Sequence, residues 1–115
     1  MKAEGGEEET MEVRILGIVG LLAREPVWDL VHIDVQGAET GICEAGLAMM
    51  GERVRWVVIG THSRVIEGAL VRLFGEGGWV LENEKPCRFT WTPGAPDLVA
   101  MTTLDGTQVW RNPRL

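Results

Sequence analysis

The sequence lacks the features that mark membrane, secreted and nucleic-acid-binding proteins. No apolar run reaches the ~18 to 20 residues needed to cross a bilayer. The N-terminus is acidic, whereas a signal peptide is basic and then apolar. The net charge is −6 at pH 7, and the 11 lysine and arginine residues form no basic stripe. We therefore predict a cytoplasmic protein that binds neither a membrane nor a nucleic acid.

Cysteine and histidine are also scarce, with two of each in the chain. Cys43 and Cys87 lie far apart in sequence, and in a cytosolic protein both are expected to be reduced thiols. His32 and His62 are not closely spaced with either cysteine, which makes a poor zinc signature. The sequence gives no reason to expect a structural metal.

Acidic residues are concentrated at the N-terminus. Residues 1–12 contain one lysine and five glutamates, namely Glu4, Glu7, Glu8, Glu9 and Glu12. Such a segment is typical of a solvated, disordered tail, and the rest of the chain is close to neutral. A chain of 115 residues can form one domain with a modest core. We predict a tail over residues 1–12 and one α/β domain over residues 13–115.

The segment around which the chain is organised spans residues 30–39, with the sequence LVHIDVQGAE. Val31, Ile33 and Val35 are β-branched, as in a strand that is covered on both faces. Gly37 then permits a sharp turn, and a helical pattern begins directly after it. The sequence therefore predicts a buried strand that leads through a glycine turn into a helix.

The apolar pattern predicts further alternation of strands and helices. Strands are expected at residues 29–35, 54–60 and 79–82, and helices at residues 39–50 and 65–74. Short connections between such elements predict a sheet of three parallel strands with right-handed crossovers.

The two ends of the domain are less regular. Residues 11–16 alternate as a short strand would, and residues 17–24 have apolar residues at helical spacing. Towards the C-terminus, residues 83–97 are polar and rich in proline, which predicts a loop with a short extended piece at residues 88–91. Two more strands are then expected, and Asp105-Gly106 is a strong hairpin signal between them. They would span residues 98–103 and 107–111.

Three segments resemble one known family. These are HIDVQGAE at residues 32–39, GTHS at residues 60–63 and DGxxVWRNP at residues 105–113. In this order they resemble the C-terminal half of the FkbM-type S-adenosylmethionine-dependent methyltransferases, over residues 13–115. The resemblance implies a Rossmann-like sheet whose last strand is antiparallel. It also implies S-adenosylmethionine as cofactor and methyl transfer to a hydroxyl of a sugar or other small molecule.

The chain departs from this family in its cofactor segment. The family's first half supplies a strand, a glycine-rich turn and an acidic residue, and no such segment precedes Leu30. Residues 16–20 contain glycines without that order, and residues 75–78 are typical of a helix C-cap. Two hypotheses follow. The chain is a methyltransferase domain that lacks its cofactor-binding half, or it is a non-catalytic remnant for assembly or small-molecule binding.

Asp34 and His62 are the catalytic candidates. Asp34 lies near the carboxyl end of the first predicted strand and His62 follows the second, and ligands bind at that end of an open α/β sheet. Asp34 could orient or deprotonate an acceptor hydroxyl, and it could equally cap the following helix. His62 is chemically the best general base. The alternative is a histidine at a helix start bonded to neighbouring backbone.

Gln36 and Glu39 are candidates for contacts with substrate or cofactor. Gln36 could instead only satisfy the turn, and Glu39 could only interact with the helix dipole. His32 and Cys43 are more simply explained as core residues.

The resemblance also predicts a partner. In a complete enzyme the strand at residue 30 would be central, whereas here its far side has only the weak strand at residues 11–16. An open apolar edge is an association site. We therefore expect a homodimer, or a complex with a chain that supplies the cofactor-binding half.

Overall fold

The structure, a computed structural model, describes the backbone of residues 11–115 and the side chains of residues 17–115. Residues 1–10 of the predicted acidic tail lie outside the described residues. Residues 11 and 12, which the prediction also assigns to the tail, belong to a helix that begins at Met11. The elements in chain order are α1 Met11–Leu22, β1 Trp28–Ile33, α2 Glu39–Arg53, β2 Val54–Thr61, α3 Arg64–Glu76, β3 Val80–Lys85, β4 Arg88–Phe89, α4 Leu98–Met101, β5 Thr102–Leu104 and β6 Gly106–Arg111.

The main sheet is mixed, with the strand order β1-β2-β6-β3. Strands β1 and β2 pair in parallel, whereas β6 lies between β2 and β3 and is antiparallel to both. The prediction of three paired parallel strands is therefore wrong, because β6 occupies the place beside β2. Strand β3 still points in the same direction as β2, since both are antiparallel to β6. The last strand is antiparallel, as the resemblance implies.

Strand β6 is inserted because alternate side chains complete the core. Trp110 is buried and stacks on Phe74 of α3, with ring centroids 5.1 Å apart. Its Nε1 donates to Oε1 of the buried Gln108 at 3.0 Å. Gln108 Nε2 in turn donates to the backbone oxygen of Glu67 at 3.2 Å. The polar atoms of this central strand are thereby satisfied by hydrogen bonds inside the core.

The core lies on one face of the sheet, where the three long helices meet it. Val57 and Ile59 of β2 point to this face and are fully buried. Helix α1 packs on α2 through Gly46, where an added Cβ would lie 3.2 Å from Ile18 Cδ1. The molecule is accordingly two layers thick, with a shortest principal extent of 17 Å. Among the helices of the described part, none is long and apolar enough to span a membrane.

The N-terminal strand prediction is wrong. Residues 11–16 continue into the following segment as one helix of 12 residues. Ile18 and Leu22 of this helix are buried in the core, and Trp28 Nε1 donates to the Leu22 backbone oxygen at 3.0 Å. A short segment with a strand-like pattern is helical here because the helix packs against α2, which outweighs a weak local propensity.

The C-terminal hairpin prediction is also wrong. Leu98–Met101 forms a short helix instead of a strand, since the Asp97 side chain accepts a hydrogen bond from Ala100 N at 2.8 Å and caps it. Strand β5 pairs with β4 in a separate two-stranded sheet, and β6 pairs with β2 and β3. Asp105 therefore connects two sheets and is not at the tip of a hairpin. The short extended piece predicted at residues 88–91 is confirmed as β4.

Candidate functional site

Two of the candidate residues meet at the carboxyl ends of the parallel pair. Asp34 follows β1 and His62 follows β2, and the register pairs Ile33 with Ile59. Because both strands run in the same direction, their ends lie at the same edge of the sheet. His62 Nε2 lies 3.4 Å from Asp34 Oδ1. The sequence placed these two residues correctly relative to each other.

Glu39 holds the other side of the histidine ring. It lies in the first turn of α2, is fully buried, and its Oε2 is hydrogen-bonded to His62 Nδ1. A carboxylate acceptor at Nδ1 favours the tautomer that carries its proton there and leaves the lone pair on Nε2. The predicted contact of Glu39 with substrate or cofactor is not supported by this burial. Its position instead suits a role in orienting the His62 ring.

Asp105 is a fourth member of the site that the sequence reasoning missed. Its Oδ2 lies 3.6 Å from His62 Nε2, beside the Asp34 carboxylate. The side chains of Asp34 and Asp105 are 58% and 66% exposed, whereas that of His62 is 6% exposed. The DG of the closing DGxxVWRNP segment is the available signal, and the prediction of a hairpin turn there conceals it. The pairing of the last strand with β2 brings Asp105 to His62.

Gly60 has no side chain and so leaves the space that the Asp34 carboxylate occupies. An added Cβ at Gly60 would lie 3.0 Å from both Cγ and Oδ1 of Asp34, which is tighter than ordinary van der Waals contact. The GTHS segment therefore contributes two residues to the site. His62 supplies the imidazole, and Gly60 leaves room for the neighbouring carboxylate.

Gln36 does not join this cluster. It is exposed in the turn before α2, next to Gly37 with a φ of 87°, and its side chain forms no hydrogen bond with other described residues. Asp34 does not cap α2 either. The N-cap is Ala38, and no side chain accepts a capping hydrogen bond there, so the capping alternative for Asp34 is wrong.

A second buried carboxylate fixes the backbone beneath the site. Glu67 Oε2 accepts hydrogen bonds from Thr61 Oγ1 at 2.6 Å and from Cys87 N at 2.7 Å. A Cβ added at Gly106 would lie 2.5 Å from each of these donor atoms and nearer still to Glu67 Oε2. Glu67 thus joins the end of β2, the loop before β4 and the start of β6. These are the segments from which His62 and Asp105 extend.

The remaining candidate groups lie outside the site. Cys43 is fully buried, and burial, with Glu39 and Glu44 as lesser causes, raises its pKa to about 12. It is therefore a neutral thiol and not a nucleophile at physiological pH. Burial, followed by the nearby Glu67 carboxylate, likewise raises the pKa of Cys87. His32 is exposed, so its interpretation as a core histidine is wrong.

The arrangement suits general acid–base chemistry at His62 Nε2. One ring nitrogen is bonded to a buried carboxylate, and the other points between two partly exposed carboxylates. A histidine oriented in this way can accept a proton from a bound hydroxyl. The described residues contain no group of three or more histidine, cysteine, aspartate or glutamate side chains arranged to hold a metal ion.

Comparison with known proteins found a similarity to a protein that is named as an enzyme. A protein of Jannaschia sp. (strain CCS1), named "Putative methyltransferase", is 33% identical to this chain over 87 residues. These residues make up 76% of the chain, whereas the chain spans only 30% of the relative's length. No family model and no solved structure matches the chain. The similarity supports a methyltransferase family for the matched region.

Proposed function

We propose that this chain is the acceptor-activating part of an FkbM-like S-adenosylmethionine-dependent methyltransferase that acts on a hydroxyl group of a sugar or other small molecule. The observation that supports this most directly is the His62 ring, which is held by buried Glu39 and points Nε2 towards Asp34. The similarity to the Jannaschia protein supports the class of reaction. The antiparallel last strand agrees with a Rossmann-like methyltransferase sheet.

The site residues have distinct roles in this proposal. His62 Nε2 accepts the proton of the acceptor hydroxyl, which makes that oxygen more nucleophilic. Asp34 and Asp105, each within 3.6 Å of Nε2, orient the hydroxyl beside the ring. The three surrounding carboxylates stabilise the imidazolium that forms. Glu39 is a positioning residue because, among the described residues, its carboxylate is hydrogen-bonded to the histidine alone.

The cofactor does not fit into the described residues alone. S-adenosylmethionine supplies a methyl group on a sulfonium, and its binding in nucleotide-binding α/β folds requires a strand, a glycine-rich turn and an acidic residue in that order. Within residues 11–115, the glycines with positive φ are Gly37, Gly78 and Gly94, and none lies in such a segment. Cofactor binding therefore depends on further polypeptide. Gln36, exposed at the same edge, remains a candidate for contact with bound cofactor or substrate.

A partner at β1 is part of the proposal. Strand β1 lies at one edge of the main sheet and pairs only with β2 among the described strands. Its free edge presents unpaired backbone groups to which another strand can add. Either a second copy of the chain or a separate chain that supplies the cofactor-binding half can occupy this edge.

Calorimetric titration with S-adenosylmethionine tests the function. We expect no binding by the chain alone, and binding once the part of the Jannaschia protein outside the matched stretch is added. In that mixture, His62→Ala should lower the rate of methylation of hydroxyl acceptors by about 10²- to 10⁴-fold. It should leave cofactor binding unchanged. If S-adenosylmethionine binds in neither arm, the chain is a non-catalytic module for assembly or small-molecule binding.

A further inference from the structure

Three hydrogen-bond acceptors lie close together on the open side of the candidate site. Glu39 is bonded to His62 Nδ1, so Nε2 carries the lone pair and is itself an acceptor. The carboxylates of Asp34 and Asp105 lie 3.4 and 3.6 Å from Nε2. These distances exceed an ordinary hydrogen bond between nitrogen and oxygen, and ionised carboxylates can only accept. The three groups therefore keep their lone pairs for a ligand.

The site is buried at its base and open at its rim. The His62 side chain is almost fully buried, whereas those of Asp34 and Asp105 are more than half exposed. His62 Nε2 forms no hydrogen bond with any other described residue, although the polar atoms of a ring buried this deeply are normally satisfied. The ring therefore points an unsatisfied acceptor into the space between the two carboxylates, where a bound group can supply the missing donor.

Negative charge is in excess at this position. Three carboxylates, those of Asp34, Glu39 and Asp105, surround one histidine, so the excess remains even when the ring is protonated. Among residues 17–115, no lysine or arginine forms an ion pair with any of these three, and the arginine ion pairs in this range involve other carboxylates. Carboxylates so close together repel one another, and a bound cation relieves that repulsion.

The acceptor hydroxyl of the proposed reaction satisfies only one of the three groups. A hydroxyl has a single proton to donate, and His62 Nε2 takes it as the general base. The two carboxylates need donors from a neighbouring part of the acceptor. A second hydroxyl would donate to one carboxylate and leave the charge uncompensated. A protonated amine offers three N–H donors and a positive charge in one compact group.

We propose that Asp34 and Asp105 bind an ammonium group of the acceptor, next to the hydroxyl that His62 deprotonates. The acceptor is then a vicinal amino alcohol, such as an amino sugar, and not a neutral sugar. The two carboxylates orient the hydroxyl through the ammonium beside it. This proposal deepens the proposed methyltransferase function and rests on it for the reaction of the hydroxyl. Gly60 keeps the Asp34 carboxylate in place, because a side chain there would displace it.

Two sugars that differ in one group provide the test. Glucosamine carries an amine, largely protonated at pH 7, where glucose carries a second hydroxyl. The full chain is titrated with each sugar in the absence of S-adenosylmethionine, and the imidazole resonances of His62 are followed by NMR. Glucosamine should bind about tenfold or more tightly than glucose, because its hydrogen bonds to the carboxylates carry charge on both partners. N-Acetylglucosamine, whose amide is neutral, should bind no more tightly than glucose.

Asp34→Asn and Asp105→Asn keep the shape of each side chain and remove its charge. Each should weaken the binding of glucosamine about tenfold or more and change that of glucose by less than about twofold. Asp29→Asn is the matched control, since Asp29 is an exposed aspartate near the opposite end of β1, paired with Arg55 at 3.5 Å. It should leave the binding of both sugars unchanged.

The proposal is overturned if glucosamine does not shift the His62 resonances or binds no more tightly than glucose. It is also overturned if either site variant binds glucosamine as tightly as the unaltered chain. Selective binding of glucosamine, with no binding of S-adenosylmethionine in either arm of the calorimetric test, supports the ammonium site and removes the methyltransferase function. Equal methylation of glucose and glucosamine in the mixture with the Jannaschia polypeptide leaves the function in place and removes the ammonium site.

Discussion

His62 is the residue on which the candidate site depends, and its main hydrogen-bond partner is a carboxylate buried in the core. Glu39 is fully buried, and its Oε2 is bonded to His62 Nδ1. Its other oxygen, Oε1, has no hydrogen-bond partner among the described residues. A buried carboxylate without its partner is costly. The two side chains therefore depend on each other for stability as well as for orientation.

Glu39→Gln should therefore change both the stability and the ring environment of His62. The amide keeps the shape but replaces a charge-assisted hydrogen bond with a neutral one, which we expect to lower the free energy of unfolding by about 2 kcal/mol. The imidazole N–H proton resonance should move upfield in NMR spectra. Glu44→Gln, an exposed glutamate on the same helix, should alter neither quantity. Unchanged His62 resonances in Glu39→Gln would contradict the assigned contact.

Gly106 tolerates no side chain, since a Cβ would overlap the Glu67 carboxylate and approach two of its hydrogen-bond donors. Gly106→Ala should lower the free energy of unfolding by about 1 to 3 kcal/mol, as overpacking of a filled site does. Gly68→Ala is the control, because nothing lies within 4 Å of its Cβ position in α3. It should stabilise the helix by about 0.5 to 1 kcal/mol. Urea unfolding of both variants that gave equal midpoints would refute this account.

At the scale of elements, helix α3 connects the site to the core. Ser63, next to His62, is its N-cap and accepts a hydrogen bond from Ile66 N at 3.1 Å. One turn later Glu67 bonds to Thr61, on the other side of His62 in the chain. Thr102 Oγ1 also donates to the His62 backbone oxygen at 2.7 Å. The start of α3 therefore fixes the backbone on both sides of the histidine.

Ser63→Ala removes this cap, and we expect it to lower the free energy of unfolding by about 1 kcal/mol. Ser63→Thr keeps the hydroxyl and should stay within a few tenths of that of the unaltered protein. Thermal or urea unfolding measures the difference. Equal destabilisation by alanine and threonine would mean that packing around residue 63, and not the hydrogen bond, determines the stability.

At the scale of the whole molecule, one core on one face of a sheet supports the fold. Cys43, on helix α2, lies inside this core, and its pKa is raised from the usual 9.0 to about 12, mainly by burial. A neutral thiol that cannot ionise in the folded state stabilises the fold fully below about pH 9. This contribution is lost progressively as the pH rises towards 12, because only the unfolded chain ionises there.

Comparison of the unaltered protein with Cys43→Ala isolates this contribution. The difference in free energy of unfolding should be constant between pH 6 and 8. Above about pH 9 it should shrink by up to about 1.4 kcal/mol per pH unit. Urea unfolding at a series of pH values measures it. A difference that stayed constant up to pH 11 would show that the thiol ionises equally well in the folded chain.

The sequence by itself determined the central alternation of strands and helices, and it pointed to three of the four residues that meet in the candidate site. Apolar periodicity is a local property, so β1, α2, β2 and α3 could be located within a few residues. Asp34, Glu39 and His62 follow from the same pattern. Each lies where a strand ends or a helix begins, and two parallel strands bring those ends together.

Only the tertiary structure decided which strands pair and what closes the site. The position of β6 between β2 and β3 depends on burial of Trp110 and Gln108, which are contacts distant in sequence. Asp105 reaches His62 only as a consequence of that pairing. The helix at Met11–Leu22 and the short helix at Leu98–Met101 also contradict local patterns. In such short segments the propensities for helix and strand are nearly balanced, and packing against the rest of the fold determines which one forms.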